Sequence, residues 1–457
     1  MAHEIAIVGA GFSGTASAVA LRREDPAARI RVFERSERFG PGLAYGTDST
    51  LHLLNVPAAV LGLSAERPQG FEEWLDAHRG SPAPYQPRAH YGEYLAACLD
   101  GSAAPGHLER IRSQVVGIER ADGAFRLRTA DGRPYEAEAI VLATGHAQPS
   151  AGADLARDAA TAARIFVAWR DSARIASLPP DATVLSIGSG LTMLDMALTA
   201  LGERGVRRFI ALSSRGLVPR AHAWTPGPAA LGAELLRAID AAPPGTRARL
   251  RAFRRFVRAH ASELDWRDAI TALRPHLPRL WHELPHDERR RFLRHVRSYW
   301  EVHRHRCAPE VASRIEAWHR AGRLEVIAGR IDGIAALEAG FSVRYRQRGS
   351  GVPRELRVDA VIDATPACSD VTRVSDPLVR SLIDAGLVRG DTLRLGIDVD
   401  AQGRPLDADG RPVEGLYYVG PWLRARDWEA TAVAELRACA ASTAQALLAG
   451  LRARCAR

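Results

Sequence analysis

Three glycines closing a short apolar run are the residues whose spacing speaks first to chemistry. Ile5-Ala6-Ile7-Val8-Gly9-Ala10-Gly11-Phe12-Ser13-Gly14 reads as strand, glycine turn and helix. Gly9 permits the tight turn, Gly11 lets backbone approach a pyrophosphate, and Gly14 lets the following helix pack on the strand. The free N–H groups of that helix, Ser13 among them, then face phosphate. A second apolar run, Arg29 to Phe33, ends in Glu34, 20 residues past Gly14, where a carboxylate accepts ribose hydroxyls. This spacing serves dinucleotide binding.

A second such pattern begins at Thr183, runs through Gly188 and Gly190, and places Met193 where a third glycine would stand. The next strand, Arg208 to Leu212, ends in Ser213-Ser214-Arg215 and not in an acid. Ser213 and Arg215 then offer donors to a 2′-phosphate, which favours NADPH over NADH; an arginine on a solvated loop is the plain alternative. The third chemical pattern is His303-Arg304-His305-Arg306, four consecutive cationic or titratable groups that repel one another unless acids or a bound anion lie near. Arg304 is the candidate anion holder and His305 the candidate proton carrier. Against this stands an ordinary helix over 289–306 with Phe292, Val296, Tyr299 and His303 packed and its arginines in solvent. Only Cys307 could complete a zinc set there, so no metal site is expected.

The elements that must hold these residues follow from pattern. Phe39 to Gly46 is a glycine-rich loop placed to cover a ligand, and Asn55 in Leu54-Asn55-Val56-Pro57 either meets polar atoms of a ligand or caps the turn before Pro57. Helices are expected over Phe71–Arg79 and Tyr91–Leu99, and strands over Ile111–Ile118, Phe125–Thr129, Tyr135–Ala137 and Ala139–Leu142, the last ending in Ala143-Thr144-Gly145. Gln148 to Pro180 reads as a linker. Ala221 to His319 is a helical, arginine-rich insertion, followed by strands at Leu324–Ala328, Ile334–Leu337 and Phe341–Arg346 and a closing run from Val358 to Pro366. Gly420 follows a last short strand, and a helix is expected from Asp427 through Thr431 to Arg437, with Trp428 as a pocket wall or core residue.

Composition narrows the classes. The chain has 457 residues and a formal net charge of +9, and all of its basic residues are arginine. Without lysine there is no Schiff-base lysine and no Walker phosphate loop. Positive charge is interleaved with acids along most of the chain, which disfavours nucleic acid and favours small anionic ligands. The five cysteines form no Cys-x-x-Cys pair, arguing against a redox dithiol or a disulfide framework and pointing to the reducing cytoplasm. No run is long and apolar enough to span a membrane.

Gly9, Gly11, Gly14, Glu34 and Ala143-Thr144-Gly145 together resemble flavoproteins with two dinucleotide-binding domains. The Phe39–Tyr45 loop, the Leu54–Pro57 turn and the His303–Arg306 motif resemble a bacterial monooxygenase subgroup that includes FAD-dependent urate hydroxylase and an aspartate N-monooxygenase. The resemblance implies an α/β fold with two Rossmann-like, glutathione-reductase-like domains: FAD binding over 1–150 and again over 367–457, NAD(P)H binding over 180–366, and a helical insertion over about 221–319. It implies FAD contacts at Gly9, Gly11, Ser13, Gly14, Glu34, Asn55, Val115, Ala143, Thr144, Gly145, Gly420 and Thr431, and NAD(P)H contacts at Gly188, Gly190, Ser213 and Arg215. The implied reaction uses NAD(P)H and O2 to place one oxygen atom, carried at flavin C4a, on a small anion, urate first. Amino-acid N-hydroxylation and a substrate-free flavin redox carrier or sensor are the alternatives.

Overall fold

The computed structural model describes residues 3–80, 83–103, 106–121, 123–148, 151–223 and 229–455. The expected linker at 149–150 and insertion at 224–228 lie in part outside them. The chain divides into one unit of residues 1–50, 57–147 and 368–457 and a second of residues 51–56 and 148–367.

In the first unit, five parallel strands run in the order Leu416–Tyr418, Ala139–Leu142, Glu4–Val8, Arg29–Glu34 and Leu108–Arg112. The central strands are β-branched and aliphatic because both faces are covered, and Ala139–Leu142 is buried at every position. The helix Phe12–Glu24 follows the first strand, and the C-terminal helix Val433–Cys455 packs along it. A three-stranded antiparallel sheet, Val115–Ala121, Ala124–Thr129 and Pro134–Ala137, adds Ile118, Phe125 and Leu127 to a core shared with Phe33, Ile140 and Tyr418.

The second unit has seven strands in the order Pro353–Val358, Phe341–Gln347, Leu324–Ala336, Arg208–Ser213, Thr183–Ile187, Ala360–Asp363 and Phe166–Val167. The last five are parallel, Phe341–Gln347 adds antiparallel to Leu324–Ala336, and Pro353–Val358 adds antiparallel to Phe341–Gln347. The helices between Ala229 and Arg320 carry their own core of Leu235, Ile239, Ala269, Leu273, Leu277 and Leu280. Both units are the α/β, Rossmann-like layers expected from the two glycine turns.

Several elements differ from the sequence reading. The run 111–118 is two strands in different sheets, because Ser113 N–H folds back to the Ile111 carbonyl at 3.0 Å and the chain turns there. The 148–180 stretch is more than a linker. It holds the helices Ala151–Leu155, Ala159–Arg164 and Ser172–Ala176 and the sheet's edge strand Phe166–Val167, and it is tied down where Asp363 accepts Gly152 N–H at 2.7 Å. The strands expected at 324–328 and 334–337 are one strand whose register shifts between Ile331 and Gly333. Gly42–Tyr45 forms one helical turn despite its glycines, and the last helix starts at Val433, since residues 427–432 are held in a tight turn by Thr431 N–H on the Glu429 carbonyl.

The 289–306 run breaks at Val296 into the helices His286–His295 and Arg297–Arg304. At the break the Arg294 carbonyl is taken by the Arg215 guanidinium at 2.8 Å. Tyr299, expected in the packed face, is exposed, whereas Arg304 and Arg306, expected in solvent, are buried. No helix among the described residues is long and apolar enough to cross a membrane.

Candidate dinucleotide cradles and a buried arginine cluster

The first glycine turn is built at contact distance. Gly9 sits at φ +104°, and a Cβ there would lie 2.3 Å from the Ala143 carbonyl oxygen; one on Gly14 would lie 1.8 Å from the Gly9 carbonyl oxygen. Only glycine lets the two strand ends and the helix meet so closely. Gly11 begins the Phe12–Glu24 helix and offers no side-chain cap, so the first-turn N–H groups of Phe12 and Ser13 keep the orientation that phosphate oxygens require.

Glu34 stands at the neighbouring strand end. One carboxylate oxygen accepts Ala10 N–H and the other Ser36 N–H, both at 2.9 Å, which orients the group while lone pairs on each oxygen remain for ribose hydroxyls. Gly42 completes the cradle, and sequence reading missed it: a Cβ on it would lie 2.8 Å from the Gly11 Cα, so the Phe39–Gly46 loop leans directly on the turn. The loop's glycine content was the available signal.

Ala143, Thr144, Gly145 and Gly420, expected FAD contacts of this unit, follow strands at the same carboxyl end of the sheet. Ala143-Thr144-Gly145 leaves the strand beside Gly9, and Gly420 follows the adjacent strand Leu416–Tyr418. Burial raises the Tyr418 hydroxyl well above the ordinary tyrosine range, and it accepts Trp422 N–H at 3.2 Å just past Gly420. Val115 turns its side chain into the core at a register shift of the antiparallel sheet. Thr431 lies in the turn before the last helix. Asn55 belongs to the 51–56 segment that groups with the second unit, where His52 Nε2 bonds the Asp195 carbonyl at 3.0 Å and Thr199 Oγ1 at 2.9 Å.

The second turn repeats the geometry. Gly188 has φ +105°, and its Cβ would lie 2.7 Å from the Ala364 carbonyl oxygen, as Gly9 faces Ala143. Gly190 begins the next helix without a side-chain cap, and Met193 takes the third glycine's place fully buried. At the strand end, Ser213 Oγ pairs with Ser189 Oγ at 2.7 Å and accepts Gly216 N–H at 3.0 Å. Arg215 lies over the Tyr299 ring at 5.2 Å, and Arg348, absent from the sequence reading, donates to the Ser214 carbonyl at 3.3 Å. Two guanidinium groups therefore flank the end of this strand.

The His303–Arg306 motif divides by side. His303 and Arg304 close the helix, and the chain leaves helical conformation at His305. His303 stays on the helix surface against Trp266, and His305 pairs with Glu301 at 3.1 Å. Arg304 and Arg306 turn inward at 8% and 7% exposure. They meet His222, also buried, which the chain places there by pairing Ala221 with Cys307. Arg267 joins them, donating to the Ala221 carbonyl at 2.9 Å and to Asp265 at 3.0 Å. Burial, then the charges of Arg306, Arg267 and Arg304, push the His222 imidazole down to about 4. Sequence reading singled out Arg306 within the motif but missed His222 and Arg267, because they come from other segments and meet it only in the fold.

Comparison with known proteins agrees with the cradles. Residues 6–147 match a family model described as FAD-NAD(P)-binding, so this segment is an FAD/NAD(P)-binding domain. An FAD-dependent urate hydroxylase of Xanthomonas campestris pv. campestris is 31% identical over 151 residues, 31% of this chain and 31% of that protein. The match therefore spans about a third of that relative's length. Among solved structures, L-lysine 6-monooxygenase from Pseudomonas syringae is similar at a TM-score of 0.68 and 19% identity, over 98% of this chain and 99% of that one. The reduced form of ornithine hydroxylase from Pseudomonas aeruginosa gives 0.65 and 18%, over 99% and 100%. Thioredoxin reductase from Lactococcus lactis gives 0.54 and 13%, over 98% of each chain. These likenesses show the shared fold.

Proposed function

We propose that the protein is an FAD-dependent, NAD(P)H-consuming monooxygenase acting on a small anionic substrate, with urate the first candidate. One observation carries the reading: a single chain builds two glycine turns, each closed to a Cβ, at the carboxyl ends of two separate parallel sheets. The similarity to a urate hydroxylase supports the substrate. A disulfide reductase on this fold needs a paired dithiol, and the five cysteines form no Cys-x-x-Cys pair.

In this reading the first-turn N–H groups after Gly11 hold the FAD pyrophosphate and Glu34 holds a ribose, while Ala143 to Gly145 and Gly420 border the ring-bearing end. Gly188 and Gly190 hold the NAD(P)H pyrophosphate, and Ser213 and Arg215 bind the 2′-phosphate of NADPH. Bound FAD supplies the redox chemistry: with two electrons from NAD(P)H, one atom of O2 enters the substrate and the other leaves as water. The chain's part is to bind, orient and exclude water. Arg304 holds the substrate's negative charge by charge-assisted hydrogen bonds. His305 lies on the other side of the motif, paired with Glu301, and takes no part in this reading.

The test is purification for a bound-flavin spectrum, followed by NADPH oxidation with urate and with L-aspartate. Urate-stimulated oxidation that yields 5-hydroxyisourate supports the reading. Stimulation by aspartate with a hydroxylamine product replaces the substrate by an amino acid, and oxidation that no substrate stimulates makes the protein a redox carrier.

A further inference from the structure

The Phe39–Gly46 loop carries three glycines, so it holds one shape only where its surroundings impose it. Two neighbours do so. On one side is the first glycine turn: Gly40 N–H donates to the Ala10 carbonyl at 2.8 Å, and a Cβ on Gly42 would lie 2.8 Å from the Gly11 Cα. On the other side is the helix Arg88–Gly101. A Cβ on Gly40, which sits at φ +107°, would lie 2.6 Å from the Ala96 nitrogen, and one on Gly92 would lie 2.6 Å from the Tyr45 carbonyl oxygen and 3.1 Å from the Pro41 Cβ. The loop is thus held between turn and helix with no room for an added carbon on either side.

The same helix reaches the turn and the loop through one ring. Tyr91, fully buried, stacks on Phe12 with centroids 6.4 Å apart and planes at 22°, and it meets the Tyr45 ring edge-on at 4.7 Å and 80°. Phe12 opens the helix that follows Gly11, and Tyr45 ends the loop's helical turn. The Arg88–Gly101 helix is the stiff member of the set, because Tyr91, Leu95 and Leu99 are fully buried and the Tyr94 hydroxyl accepts Leu63 N–H at 3.2 Å. The loop is the yielding member, with Leu43 exposed at 47%. A carbon added at Gly92 therefore displaces the loop and leaves the helix in place.

We propose that Gly92 is a positioning residue for FAD. Through the missing Cβ at 92 and the Tyr91 ring, the Arg88–Gly101 helix fixes where Gly42 stands against Gly11, and with it the fit of the first turn to the dinucleotide. Gly92 acts through the loop. The inference rests on the reading of this turn as the FAD turn and is independent of which substrate the protein oxidises.

The experiment titrates the full-length protein, stripped of flavin, with FAD and in a separate run with NADPH, both read by fluorescence. Gly92→Ala is expected to weaken FAD about 10- to 100-fold while NADPH affinity changes less than about twofold. Gly101→Ala is the control: it lies in the same helix with nothing within 4 Å of the added carbon, and FAD affinity should stay within about twofold. Should Gly92→Ala fail to fold, Tyr45→Ala takes the loop's ring off Tyr91 without altering the helix, and a loss of about two- to tenfold in FAD affinity is expected. A merely structural role would lower the Tm of the flavin-free variant and leave FAD affinity unchanged, which would overturn the proposal. So would an equal loss of FAD and NADPH affinity, or the same FAD loss in Gly101→Ala. A wild-type protein that takes up no FAD would remove the FAD reading as well, whereas wild-type uptake with unchanged variants removes the role of Gly92 alone.

Discussion

The two glycine turns differ most where they are most alike. Both place a left-handed glycine against the carbonyl of a neighbouring strand end, at Gly9 with Ala143 and at Gly188 with Ala364, and both start an uncapped helix two residues later. The first keeps a glycine at the third position and a carboxylate at the next strand end. The second has buried Met193 and a serine flanked by two arginines. The backbone geometry of the turn is therefore common to both, while in the proposed reading the strand-end side chain sets which part of a nucleotide is read. A carboxylate reads ribose hydroxyls; guanidinium groups read a phosphate in their place. The second unit also carries the arginine-rich insertion, where Arg304, Arg306, Arg267 and His222 meet.

The contrast can be broken at the third glycine first. Gly14→Val is expected to abolish flavin retention, because its Cβ would strike the Gly9 carbonyl backbone, whereas Met193→Val should leave NADPH binding within a few-fold; bound-flavin absorbance and NADPH titration report the two. Next, Glu34→Ala should weaken FAD binding by about 10- to 100-fold, since it removes both the ribose acceptor and the group that fixes Ala10 and Ser36 N–H. Arg215→Ala should raise the KM for NADPH by about tenfold while changing that for NADH little; an equal change for both would remove its phosphate role.

The smallest effect concerns pH. His222 is held near 4 in the fold against about 6.5 in the unfolded chain, so the unfolded state takes up a proton first as pH falls. Stability from this group is full above pH 6.5 and declines between about 6.5 and 4. In His222→Gln the loss of Tm between pH 7.5 and 5 should be smaller than in the wild type by a few degrees, as read by scanning calorimetry at each pH.

Much of the frame was legible in the sequence because it rests on local rules. Gly9, Gly11, Gly14 and Glu34 lie within one strand-helix-strand stretch, and their spacing alone requires the turn and its partner strand end. The same holds for Gly188, Gly190 and Arg215. The misreadings have a shared cause. The 111–118 run looks continuous because strand propensity does not register a change of sheet, and the 289–306 run looks like one helix because periodicity does not register that Arg215 takes the carbonyl at its break.

By itself, then, the sequence determined two glycine turns after apolar strands, a chain without lysine or a Cys-x-x-Cys pair, and an arginine-rich insertion. Those features depend on residue type and near-neighbour spacing. Only the tertiary structure decided that Gly42 closes the first cradle, that the arginines of His303–Arg306 face inward while its histidines face outward, and that Arg267 and His222 meet them. Those facts depend on which carbonyls, strand ends and buried charges are brought together from segments tens of residues apart, and no local pattern records that.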